Sequence, residues 1–422
     1  MQSRFTTSQR NYLLGVFNGF LYTAGEIFFD PTLVVVVFLS YLTDSPFLLG
    51  LIVPIRDAAW ALPQLWVSGI LQSYPKKVKL YRQASIARII SWILMIACIY
   101  FVREKNLLII LFFIVYTLAS LMNGLGGLPF MEIVGKTIEP RSRGEYFAWR
   151  YGLGGLGGVL ASFGVKKILD ESSNIQFPDN FGLLAVLFAI FASLGLIAFS
   201  MIREEEVSHT LPKEPLKVQL RKASLLIKKD SNFSKFLFIR AVQILGGSAI
   251  PFYAIYVQKV FGASTAFVGY YLAFYTISNL LANFIFGRMT RRFGNKRVMN
   301  IATTAGLLMS AVVLSLMIAG SILHISPIAG AVLLIPAFIL NGFRATGLSV
   351  SSNALMLDLS PTLNRSLYIG FANTLLGLVI LMTGVSGVLL KLLGLNGLLI
   401  VTIFLHIAAL LYIPKLRAEN VE

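Results

Sequence analysis

Long apolar runs fill this chain, broken at regular intervals by short polar segments, and inside the runs apolar and polar positions do not alternate. Twelve runs are read, at 12–41, 47–73, 83–102, 107–135, 146–169, 181–202, 234–259, 266–287, 297–321, 327–357, 366–391 and 396–414. Each has about the 20 residues that a helix needs to cross a ~30 Å hydrocarbon layer. Several are longer, which fits tilted or broken helices. Unbroken apolarity argues against strands, whose lipid-facing and inward-facing residues alternate. The turns between runs are short, as at 43–46 and 103–106, so the helices themselves must carry function. Only the stretch 203–235 is both long and polar. Within it, 216–228 forms an amphipathic pattern with Leu216, Leu220, Leu225 and Ile227 on one side and Lys and Arg opposite. Such a helix would lie on a membrane surface, or the stretch is a solvated linker.

The pattern occurs twice. Gly50, Gly69 and Asn123-Gly124 answer to Gly269, Gly287 and Asn341-Gly342, at offsets of 219, 218 and 218 residues. The expected fold is therefore all-α: twelve transmembrane helices in two pseudo-symmetric six-helix bundles, 1–202 and 236–422, joined by a cytoplasmic linker at 203–235. Repeats of this kind let two bundles rock about a shared midplane site, as carriers do.

Charge refines this picture. The net charge of +17 would suit nucleic acid, but its placement points to a membrane. With the N-terminus inside, about 26 of the 36 Lys and Arg fall on inner loops and tails, and six fall outside: Arg103, Lys105, Lys166, Lys167, Lys259 and Lys391. That bias places both termini in the cytoplasm. Compact loops point to a plasma membrane of the bacterial inner type. No cleavable signal is evident at the first run. The single cysteine, Cys98, has no partner for a disulfide and reads as a small apolar side chain.

The loop after the eighth run reads Gly287-Arg-Met-Thr-Arg-Arg-Phe-Gly294-Asn-Lys-Arg297. It resembles the signature loop of the major facilitator superfamily, G-x-L-a-D-R-x-G-r-R/K, and Gly287, Arg292, Gly294 and Lys296 match. Arg291 stands where the family has an acid. The first-half copy, from Gly69 to Lys77, has Ser73 there. In the family that acid helps to latch the inner gate, so this latch is missing from both halves. A second resemblance is Glu139-Pro140-Arg-Ser-Arg143-Gly144, with a counterpart from Ser360 to Arg365. Loop arginines here are expected to cap helix carbonyls or to bridge to Glu132 and Asp358. The resemblance covers essentially the whole chain and implies secondary transport.

Ionisable groups at bilayer depth cost about 2.5–3.5 kcal/mol each and need partners or a wet cavity. Glu26, Asp30, Arg56, Asp57 and Arg344 lie deepest and are the candidates for proton coupling or substrate contact. Glu26 and Asp30, four residues apart, would share a helix face, and one of them would keep its proton. Pro31 would break that helix. A static Glu26 or Asp30 pair with Arg56 is the structural alternative. Asn18, Tyr22, Trp60, Asn123, Gln243, Tyr253, Tyr275, Asn279 and Asn341 are candidates for lining the pathway. Arg88, Arg150, Arg240, Glu132, Asp358, Arg143 and Arg365 lie near inner ends, with gating or interhelix roles, as do the loop residues Gly69, Gly287, Arg292 and Gly294. The glycines of the fifth run (Gly154, Gly158) and of the eleventh (Gly370, Gly377, Gly384) read as packing seams.

No metal-ligand cluster, nucleophile or phosphate loop is present, so neither enzyme chemistry nor a cofactor is expected. The expected function is proton-coupled secondary transport of a small organic solute by a monomer in the lipid bilayer, leaning to efflux of an amphipathic compound. Uptake of a polar metabolite, lipid or lysolipid transport, and a non-transporting sensor stand as alternatives. No nucleic acid is involved.

Overall fold

The computed structural model describes residues 6–71, 73–139, 142–206, 215–360 and 365–417. Every regular element among the described residues is helical. In chain order the helices are α1 Thr7–Phe28, α2 Val36–Ser40, α3 Pro46–Ala61, α4 Gln64–Leu71, α5 Lys77–Phe101, α6 Lys105–Thr137, α7 Arg143–Leu169 and α8 Asp179–Ser200. They continue as α9 Leu216–Lys229, α10 Ser231–Gly246, α11 Tyr253–Phe261, α12 Phe267–Phe293, α13 Asn295–Ile322, α14 Pro327–Leu359, α15 Arg365–Met382 and α16 Ser386–Tyr412. Short polar residues start several of them. Ser45 and Ser326 cap α3 and α14 ahead of a proline at the first helical position, and Asp230 accepts two backbone amides at the start of α10.

Ten stretches among the described residues are long and apolar enough to cross a membrane. One of them, Tyr368–Lys415, runs through Gly394, whose φ of 67° kinks α16 in the left-handed region open to glycine. Dividing it there, and adding α12, recovers the twelve runs of the sequence. α12 falls below the apolarity of the ten because it carries Asn279 and Asn283.

Two groups of helices pack internally. α1 lies along α7 and α8, α5 along α6 and α8, and α3 along α6. In the second half α14 packs on α12 and α13, while α16 packs on α10 and α13. The repeat is visible in detail. α6 and α14 are both 33 residues long, each with an Asn-Gly pair near its middle. A Cβ on Gly124 would lie 2.7 Å from the Trp60 carbonyl oxygen of α3, and one on Gly342 would lie 2.8 Å from the Tyr275 carbonyl oxygen of α12. The same glycine serves the same close approach in each half. The first long helix of each half is also broken at matching places. α1 stops at Phe29 and restarts as a π-helical turn, Pro31–Val35, and α10 stops at Gly247 and restarts as a 3₁₀ turn, Ile250–Phe252.

The halves meet along α7–α12 and along α3 with α15 and α16. The glycine seams lie here. Gly158 abuts Thr276 and its neighbour Gly155 abuts Leu280, whereas Gly154 packs against Thr23 of α1 within its own half; Gly370, Gly377 and Gly384 receive Leu65, Ala61 and Leu51. The first and last described residues sit at one end of the molecule. There Asn11 exchanges hydrogen bonds with the Arg203 backbone at 2.9 and 3.0 Å, and Asn232 does so with the Arg417 backbone at 2.5 and 2.9 Å. α9 bridges between these points and packs on α10 and α15, with Leu216, Leu220 and Leu225 exposed.

A charged cavity between the two halves

A cavity of about 630 Å³ lies between the halves. Its first-half wall is charged. Glu26 and Asp30 come from the first broken helix, Arg56 from α3 and Arg88 from α5, with Tyr22, Tyr116 and Asn123 between them. The second-half wall carries polar groups without formal charge: Tyr275, Thr276, Asn279 and Asn283 on α12, and Thr346, Ser349 and Asn353 on α14. Of the expected site residues, the fold brings Glu26, Asp30, Arg56, Tyr22, Asn123, Tyr275 and Asn279 to this one space.

The charges are tied together specifically. Arg56 Nη2 donates to Glu26 Oε1 at 2.9 Å, and both side chains remain about one-third exposed to the cavity. Asp30 does not share a helix face with Glu26, contrary to the four-residue spacing, because the helix ends between them. Its Oδ1 accepts the Thr32 and Leu33 amides at 2.9 Å each, capping the restarted helix. Pro31 follows naturally as a residue with no amide to satisfy. Arg88, only 5% exposed, donates to the Tyr22 hydroxyl and lies over the Tyr22 and Trp92 rings. Opposite, Thr346 donates to Asn279.

Other expected residues lie elsewhere. Asp57 is not on the cavity wall; its Oδ1 is 4.0 Å from Arg56 Nε. Asn18 is buried, donating to the Gly195 carbonyl at 2.7 Å and accepting from Arg150 at 2.6 Å. Arg150 also donates to the Gly15 carbonyl at 2.8 Å, so it clamps α7 to α1. Trp60 packs beside Gly127 and is 40% exposed on the outer surface. Arg344 points into the second half, where Nη1 reaches Asn341 Oδ1 at 3.4 Å and Nη2 reaches the Gln243 carbonyl at 3.3 Å. Arg240 donates to Gln243, which donates to Thr303. Tyr253 is buried in the same half. These residues form an interior polar network off the cavity wall.

The loop residues divide too. Arg143 caps α6, donating to the carbonyls of Ile138 and Gly135. Asp358 accepts from Asn295 at 2.9 Å, and Glu132 is exposed. Gly294, with φ 78°, links α12 to α13. Arg292 lies over the Phe293 ring. Gly69 is buried in α4, whereas Gly287 has nothing within 4 Å of where a Cβ would stand, so no neighbouring helix approaches it closely. The side chain of Arg365, like Pro140, Arg141 and 361–364, lies outside the described residues.

At the end opposite the termini the halves are closed on each other. Lys259 Nζ bonds Asp44 Oδ1 at 2.8 Å, and the Tyr41 and Thr265 hydroxyls meet at 2.9 Å. The repeat glycines seal the same end. A Cβ on Gly50 would stand 3.2 Å from the Gly387 amide, and one on Gly269 would stand 2.6 Å from the Ser162 carbonyl. Toward the termini, the lining residues Tyr151, Asn283, Ser349 and Asn353 are exposed. The cavity therefore opens at the end that carries the chain termini.

Comparison with known proteins agrees with this architecture. The sequence profile described as "MFS_1 like family" matches residues 75–326, and that of the "Major Facilitator Superfamily" matches 236–422. No curated protein matches the chain in sequence. Among solved structures, a point mutant of the nucleoside transporter NupG superposes with a TM-score of 0.70 at 15% identity, covering 96% of this chain and 98% of its own. A D-xylose-proton symporter superposes at 0.69 and 17% identity over 97% and 98%. A bacterial homologue of the iron transporter ferroportin in its inward-facing state reaches 0.71 at 11% identity over 97% and 99%. In its outward-facing state that homologue reaches 0.63 at 14% identity over 98% and 99%. With its paired helical halves, a cavity between them and a profile match over more than half its length, this chain belongs to the major facilitator superfamily: it is an integral membrane transporter and not an enzyme.

Proposed function

We propose that the protein is a proton-coupled secondary transporter of a small polar organic solute. It would work by alternating access between bundles 1–202 and 236–422, joined by the linker 203–235, as a monomer with both termini in the cytoplasm. One observation carries this reading: an ion pair and two further charges line one wall of a cavity that is open at one end and closed at the other, and neutral hydrogen-bonding groups stand on the opposite wall. The charged and amide groups favour a solute with hydroxyls or charges of its own over the amphipathic compound toward which composition leaned, because a purely apolar surface would leave them without partners, while Trp92, Met95 and Phe188 offer such a solute an apolar face. Glu26 is the better candidate for the exchangeable proton, since Asp30 already holds two backbone amides. Protonating Glu26 would release Arg56 to the solute; deprotonation would restore the pair and expel it. The cavity as described corresponds to the state open to the cytoplasm.

The test is uptake and counterflow in proteoliposomes with a panel of sugars, nucleosides, amino acids and organic acids, at pH 5.5 and 7.5. Transport by wild type that responds to the proton gradient, and loss of that response in Glu26→Gln, are expected. Solute flux with an unchanged pH response in Glu26→Gln would refute the coupling role.

A further inference from the structure

A second, larger cup lies at the terminus-bearing end, away from the transport cavity, where α1, α5 and α8 converge. It encloses about 1070 Å³ and is lined by Arg10, Lys76, Lys79, Arg82 and Arg203 against two acids, Glu204 and Glu206. Both acids are already engaged. Glu204 is buried, accepting from Lys136 at 2.9 Å and from the Val78 amide at 2.8 Å, and Glu206 pairs with Lys76 at 2.9 Å. Arg10, Lys79, Arg82 and Arg203 have no carboxylate partner among the described residues. Arg82 spends its Nε on the Ser200 carbonyl at 2.8 Å, which stitches α5 to the end of α8 and leaves the rest of its guanidinium at the rim. The Arg10 Nη1 is buried with no hydrogen-bond partner.

What lies next to this cup identifies its ligand. On α5 the residues one and two turns deeper than Arg82 on the same face are Ile86 and Ile90, both more than half exposed. Leu194 and Ile197 on α8, with Met201 just past its end, continue the same apolar strip, each 50–51% exposed. A cluster of unpaired cations therefore sits at the end of an apolar, lipid-facing strip, at the depth where a helix leaves the hydrocarbon. We infer that the cup is a binding site for the phosphate of an anionic phospholipid, with an acyl chain lying along the α5–α8 strip. A phosphate diester there supplies the missing negative charge and accepts from guanidinium groups in pairs. The site touches the loop that departs from the family signature at Ser73. A bound lipid would hold α5 and α8 of the first half together beside that loop.

The experiment uses the full-length protein in neutral detergent, followed by thermal shift and native mass spectrometry. Phosphatidylglycerol, phosphatidylcholine and, as soluble headgroups, glycerol 3-phosphate and inorganic phosphate are titrated in turn. Phosphatidylglycerol is expected to bind at least tenfold more tightly than phosphatidylcholine, and the two soluble phosphates are expected to compete only weakly. Each of Lys79→Gln, Arg82→Gln and Arg203→Gln should weaken phosphatidylglycerol about fivefold, at roughly the value of one basic residue near an anionic surface. Arg292→Gln, on the other inner loop, should leave it unchanged. Equal binding of the two lipids, or retention of phosphatidylglycerol by all three variants, would overturn the site. Tight binding of the soluble phosphates would assign it to a phosphorylated metabolite and overturn the lipid. Because wild type is compared across ligands, the first two arms stand even where a variant does not fold.

Discussion

The far-end seal rests on glycines that face backbone, and that makes it open to a quantitative test. A Cβ added to Gly387 would stand 2.2 Å from the Pro46 carbonyl oxygen and 2.6 Å from the Phe47 Cα. Neither neighbour is the tip of a flexible side chain, so relief requires α3 and the start of α16 to separate. Overpacking of this kind costs roughly 1–3 kcal/mol. The cost applies only while the far end is closed, so Gly387→Ala should shift the equilibrium toward the far-open state by about 5- to 150-fold, at 1.4 kcal/mol per factor of ten. Spin labels at Asn174→Cys and His324→Cys, on exposed far-end loops of the two halves, report the separation once Cys98 is replaced by Ala. A new, longer distance population is expected. Gly287→Ala is the counterpart, since nothing in this conformation lies within 4 Å of its Cβ. It should leave the short distance dominant. An unchanged distance in Gly387→Ala, with only a lowered Tm, would show that the helices absorb the methyl locally and that this contact is not a seal.

Asp30→Ala removes the cap of the restarted first helix and should cost about 1 kcal/mol of stability, read by thermal unfolding, while Asp30→Asn, which keeps an acceptor oxygen, should cost less than half of that. Arg150→Met breaks two buried, charge-assisted hydrogen bonds to α1, worth roughly 1.5–3 kcal/mol each, and should lower the Tm sharply without altering solute preference. In the far-end pair, the hydrogen bond and charge of Lys259 hold the Asp44 carboxyl below its ordinary range. A depressed carboxyl contributes fully above the unfolded pKa of about 3.9 and loses that contribution as pH falls through the lower folded value. Asp44→Asn should therefore leave any change of transport between pH 5.5 and 7.5 untouched; a flattened profile would move the coupling site to the far end.

Much of the fold is legible in the sequence because lipid imposes a simple rule, that backbone amides be satisfied within long apolar helices. The repeat glycines mark the close approaches at Gly50, Gly124, Gly269 and Gly342, and Pro31 marks the break in the first helix. The cavity is less legible. Composition shows which charges are deep but not the rotation of each helix, so Arg344 and Arg56 look alike, although one turns into the interior of its own half and the other onto the wall of the shared cavity. Counting residues places Arg88 at an inner end, whereas it lines the cavity. A usable signal lies in α12 and α14. Tyr275, Asn279 and Asn283 recur every four residues, and Thr346, Ser349 and Asn353 recur at three and four. Such a polar stripe on an otherwise apolar helix marks a wetted face. The cap formed by Asp30 has no such signal, because a carboxylate four residues after another in an apolar run looks like a continuing helix until the backbone is seen to stop.

The unequal walls of the cavity divide labour between the gene's two halves. Every formal charge on the wall belongs to the first half, and the polar groups of the second half are all amides and hydroxyls, set beside Leu280, Ala345 and Val350. Under the coupling proposed here, energy conversion and solute choice are inherited separately. Variation at Asn279, Asn283, Ser349 and Asn353 retunes what is carried while the proton chemistry on the opposite wall stays intact. A library confined to those four positions is the natural route to a carrier with a new cargo and an old motor.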